Sequence, residues 1–239
     1  MSAGRTARER VRAELTREIT EIARRRLATE GAAGLSLRAV AREMGMVSSA
    51  IYRYFPSRDD LLTALIIDGY NAVGEAVERA DARAAEDGSA GAGVFGRRWL
   101  AVCGAVRGWA LAHPHEYALL YGSPVPGYEA PRDTVPAAIR DTLVFARIVA
   151  EAHAADALNP LGPPPGPSEA LAADLARVRE AVRLDVPDDV AARALTAWAA
   201  LYGTVSFELF GQFNGVIEAR DAYFDHSMRL LGRFIGLES

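Results

Sequence analysis

Apolar residues recur at helical spacing along almost the whole chain, and nowhere do they alternate over the length of a strand; this periodicity confines the chain to an all-α fold. Val11, Leu15, Ile19, Ile22, Ala23 and Leu27 form the first stripe, which Gly31 stops. Leu37, Val40, Ala41 and Met44 follow at i, i+3, i+4 and i+7, behind Ser36 as the cap of that helix. Gly45 breaks it. A short helix then carries Ile51 and Phe55 inward and ends at Pro56. Ser57 caps the next one, with Asp59 and Asp60 in its positive first turn, and Leu62, Leu65, Ile66, Tyr70, Val73 and Val77 mark its inner face.

The small-residue stretch EDGSAGAG (86–93) reads as a linker, and a helix is expected from Val94 to Ala112, where His113-Pro114 marks a break and restart. GSPVPGYEAP (122–131) reads as a loop, Arg132 to about Leu158 as a helix, and NPLGPPPGPS (159–168) as irregular chain. Helices over Ser168–Leu184, Pro187–Asn214 and Arg220–Gly236 complete the pattern. The expected organisation is a headpiece over residues 11–70 and a larger helical body over 71–239.

Composition excludes several classes of function. All 27 basic residues are arginine, so there is no Walker-A lysine, no Schiff base and no lysine general base. Cys103 is the single cysteine; it forms no internal disulfide or thiol cluster, which fits a reducing cytoplasm. No apolar run approaches the roughly 20 residues that span a bilayer, and MSAGRTARERVRAELTREIT lacks the apolar core of a secretory signal. A cytoplasmic protein with no membrane partner is expected. His113 and His115 stand two apart across a proline, without cysteine or paired carboxylates nearby, and suggest no metal site. Neither a G-x-S-x-G elbow nor an H-E-x-x-H helix occurs, so no enzyme and no cofactor are expected.

The net charge of −4 hides an asymmetry. Up to Asp60 there are 12 arginines against 8 acids, a net of +4; the remainder carries 15 against 23, a net of −8. A cationic head on an acidic body is the distribution expected when only the head meets phosphate.

The block GLSLRAVAREMGMVSSAIYRYFPSRDDLL (34–62) carries the functional reading. Two helices joined at Gly45 make a helix-turn-helix, whose second helix lies in the major groove. Helical phase turns Val47, Ile51 and Phe55 toward the preceding helices, and turns Ser48, Ser49, Tyr52 and Arg53 away toward base edges and phosphates, with Tyr54 beside them. Ala50, at the shoulder, offers its methyl to a thymine. Arg38 and Arg42 on the preceding helix, and Arg58 after the turn, are placed for backbone phosphate.

This block resembles the N-terminal signature of the TetR (AcrR) family, matching it at Ser36, Leu37, Arg38, Ala41, Gly45, Ile51, Tyr52, Phe55, Ser57 and Leu61. It departs at Val47, where the family has a Ser or Thr capping the recognition helix, which leaves capping to Ser48. The remainder resembles a TetR C-terminal domain type named for a Trp-His-Gly motif. Here the motif reads Trp198-Ala199-Ala200-Leu201-Tyr202-Gly203, with Tyr202 in place of the histidine. The resemblance implies a homodimeric repressor on a palindromic double-stranded operator, released by a small-molecule effector. It also implies that the last two helices of each copy pair as a four-helix bundle.

An aromatic set at helical spacing, Trp99, Trp109, Tyr117, Tyr121, Trp198 and Tyr202, is expected to line an apolar effector cavity. Leu195, Leu209, Phe213, Phe224, Met228, Leu231 and Ile235 form the stripes expected at the dimer interface; burial of those stripes within one chain is the competing reading. The alternative function is a helical small-molecule-binding protein or enzyme with a vestigial headpiece.

Overall fold

The computed structural model describes residues 7–86, 93–159, 162 and 166–238, and among these there are helices, turns and loops but no strand. The linker at 87–92 and residues 160, 161 and 163–165 of the expected irregular segment lie outside the described residues. Helices α1 (Ala7–Gly34), α2 (Leu37–Glu43), α3 (Ser48–Ile51) and α4 (Arg58–Glu86) come first. At the turn after α2, Gly45 adopts a left-handed φ of 67°, which a side chain would resist, and the N–H of Met46 closes the turn on the Ala41 carbonyl at 2.9 Å. Ser57 caps α4: its Oγ accepts from the Asp60 N–H at 3.1 Å and donates to the Asp60 carboxylate at 2.6 Å. Ser36 has the extended backbone of a cap residue, but its side chain makes no cap bond.

Next come α5 (Gly93–Ala112), α6 (Pro114–Tyr121), a 3₁₀ turn (Arg132–Thr134), α7 (Val135–Ala138), α8 (Arg140–Ala154), α9 (Glu169–Val182), α10 (Asp188–Leu209) and α11 (Arg220–Ile235). The single helix expected over Arg132–Leu158 is thus three pieces. Ile139 leaves helical geometry (φ −95°, ψ 0°) ahead of α8, and Asp156 turns left-handed after it. Helix α10 stops at Leu209 rather than Asn214, because Gly211 takes a φ of 84° that ends the helical run.

The chain forms two compact units: Met1–Gly69 with His113–Val135, and Tyr70–Ala112 with Pro136–Ser239. Segment His113–Val135 therefore goes with the headpiece and not with its sequence neighbours. The headpiece core is built from Ile19, Ile22, Ala23, Leu37, Val40, Ile51, Phe55, Leu61, Leu62 and Leu65, with Leu119, Val125 and Tyr128 of the later segment packed against it. Polar ties fix that segment: Tyr128 Oη lies 2.9 Å from Thr63 Oγ1, and the Arg24 guanidinium 3.0 Å from the Glu116 carboxylate.

In the second unit, Val73, Val77, Val102, Val106, Ile148, Val149, Leu175, Leu201, Val205 and Met228 are buried. Each such side chain, fully buried, contributes about 1.5–3 kcal/mol. Charged side chains join the helices at defined points. Asp81 of α4 receives Arg98 of α5 through two bonds (2.7 and 3.1 Å) and Arg147 of α8 at 2.6 Å. Arg107 of α5 grips Glu208 through two bonds of 2.7 Å and reaches Asp221 at 2.7 Å. Trp99 donates its indole N–H to the Met228 carbonyl at 2.8 Å, tying α5 to α11.

Candidate nucleic-acid interface and apolar cavity

Helix α3 is shorter than expected and ends at Ile51. Ile51 and Phe55, the latter past the turn that follows, are both buried, and this leaves Ser48, Ser49, Tyr52 and Arg53 exposed, with Ala50 half-buried at the shoulder. Val47 departs from the expected inward placement: it is 72% exposed. The helix begins after it, with Val47 itself extended (φ −64°, ψ 136°), so helical phase does not govern its direction. Ser48 is accordingly the first helical residue and not the cap. Tyr54 turns back against the headpiece core.

The headpiece arginines sort by partner. Arg24 pairs with Glu21 (2.6 Å) and Glu116 (3.0 Å), and Arg25 and Arg26 share Glu43 (3.1 and 3.3 Å). Arg58 donates to the Ala32 carbonyl at 2.7 Å and lies 3.5 Å from Asp59, which commits it to closing the end of α1. Arg38, Arg42 and Arg53 are exposed, and none makes a side-chain hydrogen bond or ion pair among the described residues. Uncompensated charge therefore stands on α2 and just past α3, beside the exposed hydroxyls, and also on α1, where Arg12 and Arg17 bond backbone carbonyls and not carboxylates.

One contributor escaped the sequence reading. Arg12 of α1 donates to the Arg53 carbonyl at 3.1 Å and stands 5.9 Å from the Tyr54 ring centre, bracing the end of α3. It lies 41 residues from Arg53, and no periodicity links the two.

The second unit holds an apolar cavity of about 100 Å³. Trp99 of α5, Phe145 and Val149 of α8, Val178 and Val182 of α9, Leu195 and Trp198 of α10 and Ile235 of α11 contribute walls; Thr142 is the one hydroxyl among the lining residues and no charged side chain is among them. Trp99 meets Phe145 edge-on with ring centres 5.7 Å apart. Of the six aromatic residues expected to line a site, Trp99 and Trp198 do so. Trp109, also on α5, is not a lining residue; ten residues along a helix is about 15 Å of rise with a change of face. Tyr117 and Tyr121 belong to the headpiece unit on α6, with ring centres 4.9 Å apart.

Tyr202 packs its ring 5.2 Å from Trp198 and donates its hydroxyl to Asp141, which is 2% exposed. Burial drives the Asp141 carboxyl above the ordinary aspartate range, against the opposing hydrogen bond from Tyr202. With the folded pKa raised, the ionised form is the disfavoured one. Asp141 therefore lowers stability at neutral pH, and this effect fades as pH falls through the raised value. Tyr202→Phe removes a donor that tempers the penalty. Its destabilisation, about 1–3 kcal/mol, should be largest at neutral pH and shrink in mild acid, as read from urea midpoints. A loss independent of pH would show that Tyr202 only packs.

Among the described residues no group of His, Cys, Asp and Glu assembles to hold a metal ion, and no helix is long and apolar enough to cross a membrane. Burial pushes the Cys103 thiol well up, which removes it as a nucleophile at neutral pH.

The dimer-interface residues fall into groups. Phe224, Met228 and Ile235 are buried inside the second unit, so the competing reading holds for the inner stripe of α11. Leu209, Phe213 and Leu231 are half-buried, and Leu195 lines the cavity. The apolar face left outward is made mostly of other residues, Phe207, Phe210, Val216, Tyr223, Leu230 and Phe234, which are exposed, although of the expected set Leu195 is exposed as well. Phe207, Phe213 and Tyr223 run edge-to-face along it, with ring centres 5.8 and 5.2 Å apart.

A helix-turn-helix whose outer face gathers unpaired arginines and hydroxyls, on a chain with a separate helical body, defines a DNA-binding transcriptional regulator. Residues 19–65 match the family described as "Bacterial regulatory proteins, tetR family", and residues 99–231 match "Tetracyclin repressor-like, C-terminal domain". The HTH-type transcriptional regulators Mb1846 of Mycobacterium bovis and Rv1816 of Mycobacterium tuberculosis are each 40% identical over 232 residues, covering 95% of this chain and 93% of their own length. The solved regulatory protein SCO4313 superimposes with a TM-score of 0.75 at 33% identity, covering 95% of this chain and 98% of that one. A Rhodococcus sp. RHA1 protein of unknown function gives 0.61 at 31% identity, covering 90% and 94%. The chain belongs to the TetR family.

Proposed function

We propose that this regulator is a cytoplasmic homodimeric repressor that binds a palindromic operator and is released by a small, largely apolar effector held in the second unit. The observation that carries the DNA side is that Arg38, Arg42 and Arg53 stand beside the exposed hydroxyls without a carboxylate partner, whereas Arg24, Arg25 and Arg26 are each paired with one. Ser48, Ser49, Ala50 and Tyr52 supply base-edge and thymine-methyl contacts, and Arg38 and Arg42 meet phosphate. Support for dimerisation comes from the exposed apolar face of α10, α11 and the loop between them, which is larger than scattered surface hydrophobics require. Ligand release needs only that the effector favour a dimer geometry whose recognition helices no longer match the half-site spacing. An intact, fully packed headpiece speaks against the alternative of a vestigial one, and no enzymatic activity is proposed.

Randomised-site selection followed by titration tests this reading. Arg53→Ala should cost about 1–3 kcal/mol on the best operator and relax preference at one base position. Arg38→Ala should weaken all sequences alike and reduce the salt slope by about 1. Equal losses with unchanged preference in both variants would overturn the division between base and phosphate contacts.

A further inference from the structure

We propose that the cavity walled by α5, α8, α9, α10 and α11 takes an uncharged, single-ring apolar molecule bearing one hydrogen-bond acceptor, to which the indole N–H of Trp198 donates. The proposal rests on the effector reading above and adds to it a place and a ligand chemistry.

Charge is settled by the walls. Among the described residues no charged side chain lines the cavity, so a carboxylate or ammonium would be desolvated there without a counter-ion. The polar handle is settled by what the walls leave unmade. Thr142 spends its hydroxyl proton on Asp141 at 3.3 Å. Trp198 Nε1, by contrast, has no acceptor among the described residues and is buried from the cavity as well as from solvent, so a ligand reaches it only when a wall yields. Folded proteins rarely leave a buried donor in this state. An indole nitrogen donates and never accepts, so the matching ligand group is a carbonyl or ether oxygen and not a hydroxyl or amine proton.

Size decides how such a molecule enters. Benzene occupies an engineered cavity of about 150 Å³, whereas this one offers about 100 Å³. A single ring therefore requires one wall to yield. Helices α5 and α8 are pinned together through Asp81, whereas α9 presents Val178 and Val182 and is tied at its end by Arg179, to the Val186 carbonyl and to Asp188 at the start of α10. Helix α9 is the wall that moves. The opposite wall, Leu195 and Trp198, belongs to the same helix that carries Phe207 on the exposed apolar face, so a seated ligand bears directly on the element proposed to pair in the dimer.

Three probes of nearly one shape test the chemistry: acetophenone, α-methylstyrene (a CH₂ in place of the carbonyl oxygen) and benzoate. Binding to the full-length protein is followed by calorimetry and by the ¹⁵N-indole resonance that Trp198→Phe deletes. Acetophenone should bind about 3- to 10-fold more tightly than α-methylstyrene, move the Trp198 indole resonance downfield, and lose that advantage in Trp198→Phe. Benzoate should bind least. Ala146→Leu and Ala194→Leu, which fill the cavity from two different helices, should each abolish binding of both neutral probes. Equal affinity of the two neutral probes, preferred binding of benzoate, or acetophenone binding that survives both filling variants would overturn the proposal. Operator affinity is titrated in parallel, to separate the two readings. If the probe pattern fails while the operator is still bound, the ligand chemistry alone falls. If acetophenone binds as expected but does not weaken operator binding at saturation, effector release falls and the cavity chemistry stands.

Discussion

A chain carrying Phe207→Glu and Leu230→Glu together is expected to be a folded monomer that binds its operator roughly 10²–10⁴-fold more weakly than the parent, the range by which simultaneous engagement of two sites exceeds one. Phe207 and Leu230 are 52% and 50% exposed, so neither carboxylate is forced into the core of its own chain. In a dimer sealed by this face, the same two groups would be desolvated opposite each other across a two-fold axis. A single headpiece then contacts a single half-site. The control is Met228→Glu, on the inner side of α11 and 1% exposed, which should unfold the second unit instead of dissociating intact chains. Light scattering with far-ultraviolet circular dichroism separates the two outcomes. A parent chain that is monomeric at micromolar concentration would refute the proposed interface at once.

The difference between those faces also marks how far the sequence can be read. Helical periodicity locates both stripes of α11, but it does not say which side meets the rest of the same chain. Phe224, Met228 and Ile235 look as suitable for a dimer as Tyr223, Leu230 and Phe234 until α5 is seen to hold the Met228 carbonyl through Trp99. The headpiece was legible for the opposite reason. Its signals are local: the turn at Gly45 and the cap at Ser57 are fixed by neighbours a few residues away, and the spacing of Ile51 and Phe55 marks their inward side, although the core they enter reaches back to Ile19 and on to Leu119. Where an extended residue interrupts the helical phase, as at Val47, the reading failed even there. The aromatic set failed over longer distances. Trp109 and Tyr202 share composition with the cavity walls, but helix rotation carries one off them and a buried carboxylate claims the other. Ion pairs such as Arg107 with Glu208, 101 residues apart, leave no trace in spacing.

Asp81→Ala is expected to destabilise the second unit by about 3–5 kcal/mol, the range for removing one partner of a buried ion pair. The loss should fall toward the lower end, because Arg98, whose side chain is 8% exposed, keeps Glu151, while Arg147 is half exposed and is free to turn to water. At about 2–4 °C per kcal/mol for a unit of this size, the melting temperature at fixed protein concentration should fall by roughly 6–20 °C. The cause is that buried Arg98 loses its buried carboxylate and keeps only the half-exposed Glu151, and not lost volume. This is separable: Asp81→Leu with Arg98→Met, which removes both charges and fills the space, should recover most of the stability. If the double variant is as unstable as the single one, Asp81 acts by shape and the ionic explanation fails. The position matters beyond stability because α5 and α8 each face two ways. Helix α5 turns Trp99 to the cavity and the adjacent Arg98 to Asp81; helix α8 turns Phe145 and Val149 to the cavity and Arg147 to the same carboxylate. One buried charge on α4 thereby fixes the two walls against which a ligand must push, and that leaves α9 as the wall to give way.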